Sequence, residues 1–126
     1  MAALVNHRPG AVALASPWIE AHEAATSALV YAEVFEYIRP SRRFLRHYQT
    51  LRSLLRVVHP FGVNLQILER YADIRLALRR GQLIGDIDTL IAATALEHDL
   101  TVVTTDPDFQ RVPGLRVILL TRAQLL

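Results

Sequence analysis

The sequence predicts an α/β domain with a mostly parallel sheet. Two observations carry that prediction. Segments with apolar residues at helical spacing alternate along the chain with short apolar or β-branched runs, the order that parallel sheets require. The 126 residues are 52% hydrophobic, and no repeat, low-complexity tract or Gly/Ser linker divides them. One domain spanning 1–126 is therefore expected. A mean hydropathy of +0.22 excludes disorder.

The elements follow in order. Ala11 to Ile19 is apolar and in part helical, with Pro17 near a start or bend. Ala24 to Ser27 is short, small and bounded by acids, as a buried strand would be. From Ala28 to Ile38 the residues Leu29, Val30, Val34, Tyr37 and Ile38 recur at helical spacing until Pro40 stops the run. Ser41 to Arg56 repeats the pattern, with Leu45, Tyr48, Leu51 and Leu55 on one face. Val57 and Val58 suggest a brief strand. Asn64 can cap a helix running to about Arg80, with Gly81 after its last turn. That helix carries two stripes, Leu65-Leu68-Ala72-Leu76 and Ile67-Tyr71-Ile74-Leu78, although one is enough to seat a surface helix. The second stripe fits either a helix wedged inside the fold or a face for a partner. Asp86 can cap a helix ending near His98, and strands are expected over Thr101–Thr105, buried, and Arg116–Leu120. In such sheets sites lie beyond the carboxyl ends of the strands, where Asp106 falls.

Composition narrows the chemistry. With no cysteine, disulfides, thiolate metal sites and a cysteine nucleophile are all excluded. No apolar run approaches the roughly 18 residues of a membrane span, and Met1 to Gly10 lacks a signal-peptide core, so a cytoplasmic protein is expected. All 14 basic residues are arginine. The net charge of +2 conceals −3 over residues 1–38, +8 over 39–80 and −3 over 81–126. That pattern fits solvated helix faces, or an acidic metal site beside a basic surface that holds a polyanion.

Three acids stand in surroundings where a carboxylate is costly unless paired or bound to a cation. Glu33 lies in an apolar helix, Asp88 opens a run of small and apolar residues, and Asp106 follows Thr-Val-Val-Thr-Thr. Singly, each has an ordinary role: a wet helix face for Glu33, a helix N-terminus for Asp88 and a turn for Asp106. Asp86 fits an N-cap and Asp108 a turn. Jointly, three converging carboxylates match a site for Mg²⁺ or Mn²⁺, since zinc prefers histidine and cysteine. The five histidines have no metal-ligand spacing, and phosphate-loop, serine-hydrolase and zinc-protease motifs are absent.

Gly85-Asp-Ile-Asp-Thr-Leu-Ile-Ala-Ala-Thr-Ala-Leu-Glu-His98 and Leu100-Thr-Val-Val-Thr-Thr-Asp-Pro-Asp-Phe109 resemble the C-terminal half of a PIN domain, most closely a VapC-type ribonuclease toxin. Thr26 to Val34 is similar to the family's second motif, and Arg111 to Val117 to its ending. The likeness runs from about Pro9 to the C-terminus. It implies an α/β/α sandwich with a central parallel sheet, a divalent-metal site of four acids, and cleavage of RNA. Carried over by position, Glu33, Asp88 and Asp106 are the second, third and fourth acids. Thr104 matches a polar residue beside the site, and Asp86 stands beside the ligands rather than among them. The resemblance also implies a homodimer silenced by a small antitoxin. The family's opening strand, which ends in the first ligand aspartate, has no counterpart here, since Ala3 to Asn6 resembles the end of the helix that follows it. A missing first strand is therefore expected, through a misassigned start, a remnant gene or a strand supplied by a partner.

The expected function is metal-dependent RNA hydrolysis, with Mg²⁺ or Mn²⁺ held by Glu33, Asp88 and Asp106 and the RNA backbone gripped by arginines of 39–80, led by Arg42, Arg43 and Arg46. A module that only dimerises or binds an antitoxin is the rival. A nuclease acting on DNA or on nucleic-acid structure is the third reading.

Overall fold

The structure, a computed structural model, describes residues 1–78 and 81–126. They form two compact units, Met1–Gly62 with Arg122–Leu126, and Val63–Thr121.

The first unit contains α1 (Ala2–Val5), α2 (Pro9–Glu20), β1 (Ala25–Ser27), α3 (Ala28–Ile38), α4 (Phe44–Leu54), β2 (His59–Phe61) and a closing 3-10 helix over Arg122–Leu125. β1 and β2 pair in parallel, with Thr26 opposite Pro60. Proline has no N–H to give, so Pro60 turns its nitrogen away from β1 and makes β2 an edge strand. Ser27 ends β1 and caps α3, its hydroxyl oxygen accepting from the Leu29 N–H at 3.1 Å. The core gathers Val5, Val34, Ile38 and Leu51, with Tyr31, Phe44 and Tyr48 packed against it.

Two expectations change here. Leu45 is 72% exposed, and Phe44 takes its place on the inner face, because residues 44, 48 and 51 follow the helical period. The strand after α4 is His59–Phe61 rather than Val57–Val58. Both valine N–H groups are spent on the Leu54 carbonyl, at 3.0 and 2.8 Å, which prolongs the helix end as a turn.

The second unit contains α5 (Leu65–Ala77), α6 (Asp86–Glu97), β3 (Val102–Thr104), a 3-10 helix over Pro107–Arg111 and β4 (Val117–Leu119). Asn64 caps α5 as expected, its Oδ1 accepting from the Ile67 N–H at 3.0 Å. The predicted end of that helix at Arg79 and Arg80 lies outside the described residues. Of its two stripes, Ile67, Ile74 and Leu78 are buried against Ala92, Ala93, Phe109 and Val112. The other stripe faces outward, with Leu65 73% and Leu76 84% exposed. The wedged-helix reading is thereby overturned.

β3 and β4 pair in parallel, with Val103 opposite Ile118. Both strands are shorter than predicted, and the expectation of a buried strand over Thr101–Thr105 fails. Val103 and Ile118 are each 41% exposed, because β3 has β4 as its one neighbour among the described residues. Asp86 is not the cap of α6 either. Gly85 holds that position, and the Asp86 side chain is engaged elsewhere.

The fold class is the predicted α/β type, with every described strand in parallel pairing and helices in the connections. The sheet consists of two separate two-stranded pairs among the described residues. No described helix is long and apolar enough to cross a membrane.

Candidate metal centre

In the second unit three carboxyls interact where α6 begins and β3 ends. Asp88 sits in the first turn of α6, and Asp106 and Asp108 flank Pro107 just after β3. The local chain explains their positions. Thr104 Oγ1 accepts from the Asp106 N–H at 3.1 Å, and Asp106 Oδ1 accepts from the Asp108 N–H at 2.9 Å, so two successive side-chain turns fold the segment onto itself. The first turn of α6 is steadied by Thr89, whose buried hydroxyl donates to the Gly85 carbonyl at 2.8 Å.

Asp88 carries the perturbed ionisation. Partial burial raises its pKa first, and the negative charges of Asp106 and Asp108 raise it further. Asp108 has a counter-charge, since the Arg111 guanidinium donates to it at 2.9 Å. Asp86 is likewise paired, with Arg75 at 2.8 Å, and accepts from the Tyr71 hydroxyl at 3.0 Å. Asp88 and Asp106 form no ion pair among the described residues. An all-oxygen donor set with an unrelieved negative charge fits a hard cation such as Mg²⁺ or Mn²⁺. No three acids or histidines among the described residues are arranged to hold an ion by themselves.

Glu33 lies in the first unit, exposed on α3. Its carboxylate acts on the Met1 amine, opposing the burial that lowers that amine's pKa. Of the acids singled out from sequence, the structure brings Asp88 and Asp106 within electrostatic reach of each other. Asp108 is a turn residue, as the sequence suggested, and its charge also acts on Asp88. The Thr104 hydroxyl accepts from the Asp106 N–H, and Asp86 is held by Tyr71 and Arg75.

The arginines divide between the two units. Within the second, Arg70, Arg75, Arg111 and Arg116 each pair with an acid. Among the described residues, no arginine of the first unit does. Arg42, Arg43 and Arg46 are exposed and, with Phe44 and Leu45, line an open surface depression of about 420 Å³.

A parallel α/β fold with carboxylates gathered past a strand end defines a class, and family comparison agrees with it. The PIN domain family matches residues 1–115, and the chain belongs to that family. Three solved structures add to the likeness. The first is VapBC2 from Rickettsia felis bound to a DNA fragment from its promoter, 23% identical over 91% of this chain and 89% of that one, with a TM-score of 0.78. VapBC-1 from nontypeable Haemophilus influenzae is 26% identical over 76% of this chain and 73% of that one, with a TM-score of 0.70. DNA-bound VapBC from Salmonella typhimurium is 26% identical over 73% and 71%, with a TM-score of 0.67. These likenesses bear out the VapC-type resemblance stated from the sequence. No curated protein matches the chain.

Proposed function

We propose that this chain is a divalent-metal-dependent endoribonuclease, the toxin of a VapBC-like pair, acting in the cytoplasm and held in check by a small antitoxin. The observation that carries the proposal is Asp88: a carboxyl whose ionisation is opposed by burial and by Asp106 and Asp108, with no cationic partner among the described residues. Glu33, Asp88 and Asp106 would hold Mg²⁺ or Mn²⁺, with Asp108 close by. A bound ion supplies an activated water and offsets charge on a phosphodiester. The protein's own part is to orient these acids. Thr104 and the Asp106 turn hold one carboxylate, and the Asp86 clamp braces the start of the helix that carries another. Arg42, Arg43 and Arg46, without ion pairs among the described residues, would bind the RNA backbone. The outward stripe of α5 fits a homodimer or antitoxin contact.

RNA cleavage by the purified chain in Mg²⁺ or Mn²⁺, abolished by EDTA and by Asp88→Asn, is the expected result. Cleavage that survives either treatment overturns the proposal.

A second reading has one specific observation behind it: no three ligand residues among the described ones form a preformed cation cage. On that reading the chain is a binding module without activity. Metal titration decides between them. Millimolar Mg²⁺ or Mn²⁺ should raise the melting temperature of wild type but not of Asp88→Asn, and no shift in either favours the module.

A further inference from the structure

The first unit's charge is concentrated on one helix. Along α4 and its flanking turns, Arg42, Arg46, Gln49, Arg52, Ser53 and Arg56 are all exposed. Leu51, within the same run, is fully buried, and Phe44 and Tyr48 pack inward with it. Residues three and four apart lie about 5–6 Å from one another on a helix surface, so Arg46, Gln49, Arg52 and Ser53 form a row on α4, and Arg42 and Arg56 stand in the turns at its two ends. Four of the six are arginine and none is acidic; the 39–62 stretch contains no aspartate or glutamate. None of these guanidinium groups forms an ion pair among the described residues. The Arg39 guanidinium lies 4.6 Å from the centre of the Phe44 ring, adding a further positive charge at the start of the row.

We infer that the outer face of α4 is a rail for the backbone of a single-stranded RNA, extending from Arg42 through Arg46 and Gln49 to Arg52 and Arg56. Uncompensated arginines in a row lose free energy by mutual repulsion, and a polyanion relieves it. Guanidinium is suited to this occupant, because its planar fork gives two parallel hydrogen bonds to a phosphate and also stacks on bases. Gln49 and Ser53 add neutral hydrogen-bonding groups between the charges. The row follows an extended strand without reading base edges, so binding is tolerant of sequence and strongly dependent on salt. The choice of RNA as the polyanion rests on the ribonuclease reading, whereas the row itself does not.

The test is binding without catalysis. A short fluorescein-labelled single-stranded RNA is titrated with the full chain in EDTA, between about 50 and 200 mM salt. The double variant Arg52→Gln/Arg56→Gln changes no proposed metal ligand and is first shown to melt like wild type. The expected result is roughly tenfold weaker binding at the lower salt. Its logarithmic salt slope should also be shallower by about 1.4, the value for two lost phosphate contacts on a single strand. An unchanged slope overturns the rail, whatever the cleavage assay shows. Polyglutamate competing as well as RNA at equal charge also overturns it, in favour of an acidic protein partner. If the slope falls as expected but no metal supports cleavage, the rail stands and the ribonuclease reading fails.

Discussion

The Arg75 guanidinium donates to Asp86 Oδ1 across 2.8 Å, and the Tyr71 hydroxyl donates to the same oxygen at 3.0 Å. The guanidinium carbon also lies 5.6 Å from the centre of the Tyr71 ring. Two turns of α5 thereby hold the first residue of α6, the helix that carries Asp88. The Asp86 side chain is largely exposed, so solvent screens the pair. Asp86→Ala is expected to cost no more than about 1 kcal/mol in urea unfolding. A double-mutant cycle with Arg75→Ala should show coupling within the same range, and a much larger cost would mean that Asp86 caps the helix after all.

Asp88 yields a pH dependence of defined sign. Its carboxyl titrates higher in the folded chain than the ordinary value of 3.8, so the folded state binds more protons. Stability contributed by this group therefore falls as pH rises from 3.8 towards the raised value, and the whole penalty is present at neutral pH. In EDTA, Asp88→Asn should melt above wild type at pH 7, with the difference shrinking as the pH approaches 3.8. Thermal melts across that range check it. A variant less stable than wild type at neutral pH would show that Asp88 is favourably paired.

The two stripes of α5 should respond in opposite ways. Ile74 is buried, and Ile74→Ala is expected to cost about 2–5 kcal/mol. Leu76 is 84% exposed, and Leu76→Ser should change stability by no more than about 0.5 kcal/mol. If the outward stripe joins copies of the chain, Leu65→Ser/Leu76→Ser will lower the mass seen by light scattering while leaving the melting temperature of the dilute chain unchanged.

Gly10 holds the C-terminus against α2. Its N–H donates to the Leu126 carbonyl at 2.8 Å, and a Cβ there would lie 2.4 Å from the Gln124 oxygen and 2.5 Å from that of Leu126. Backbone atoms cannot yield as a flexible side chain can, so Gly10→Ala should displace the 3-10 helix Arg122–Leu125. Destabilisation of about 1–3 kcal/mol is expected, with faster carboxypeptidase trimming of the C-terminus.

Much of this was legible in the sequence. The bounds of α3, the Asn64 cap, both stripes of α5 and the parallel α/β class all rest on local periodicity and capping chemistry, which neighbouring residues largely decide. The Asp88 and Asp106 candidates were legible for a similar reason, since each stands at an element boundary that its own neighbours define. The errors have both local and tertiary causes. Leu45 lost its inner position to Phe44, and the strand after α4 slipped to His59 once the Leu54 carbonyl had taken two N–H groups. Asp86 has the residue type of a cap, yet Tyr71 and Arg75, eleven and more residues earlier, claim its carboxylate.

Composition and order determined the class of fold and the segregation of charge into a basic middle. Only the tertiary structure decided which charges are already satisfied. Arg70, Arg75, Arg111 and Arg116 meet acids in the folded chain, while the arginines along α4 meet none among the described residues, and no count of residues could separate the two. Electrostatic pairing depends on distances of a few ångströms across the fold, and those distances exist only after the chain has packed.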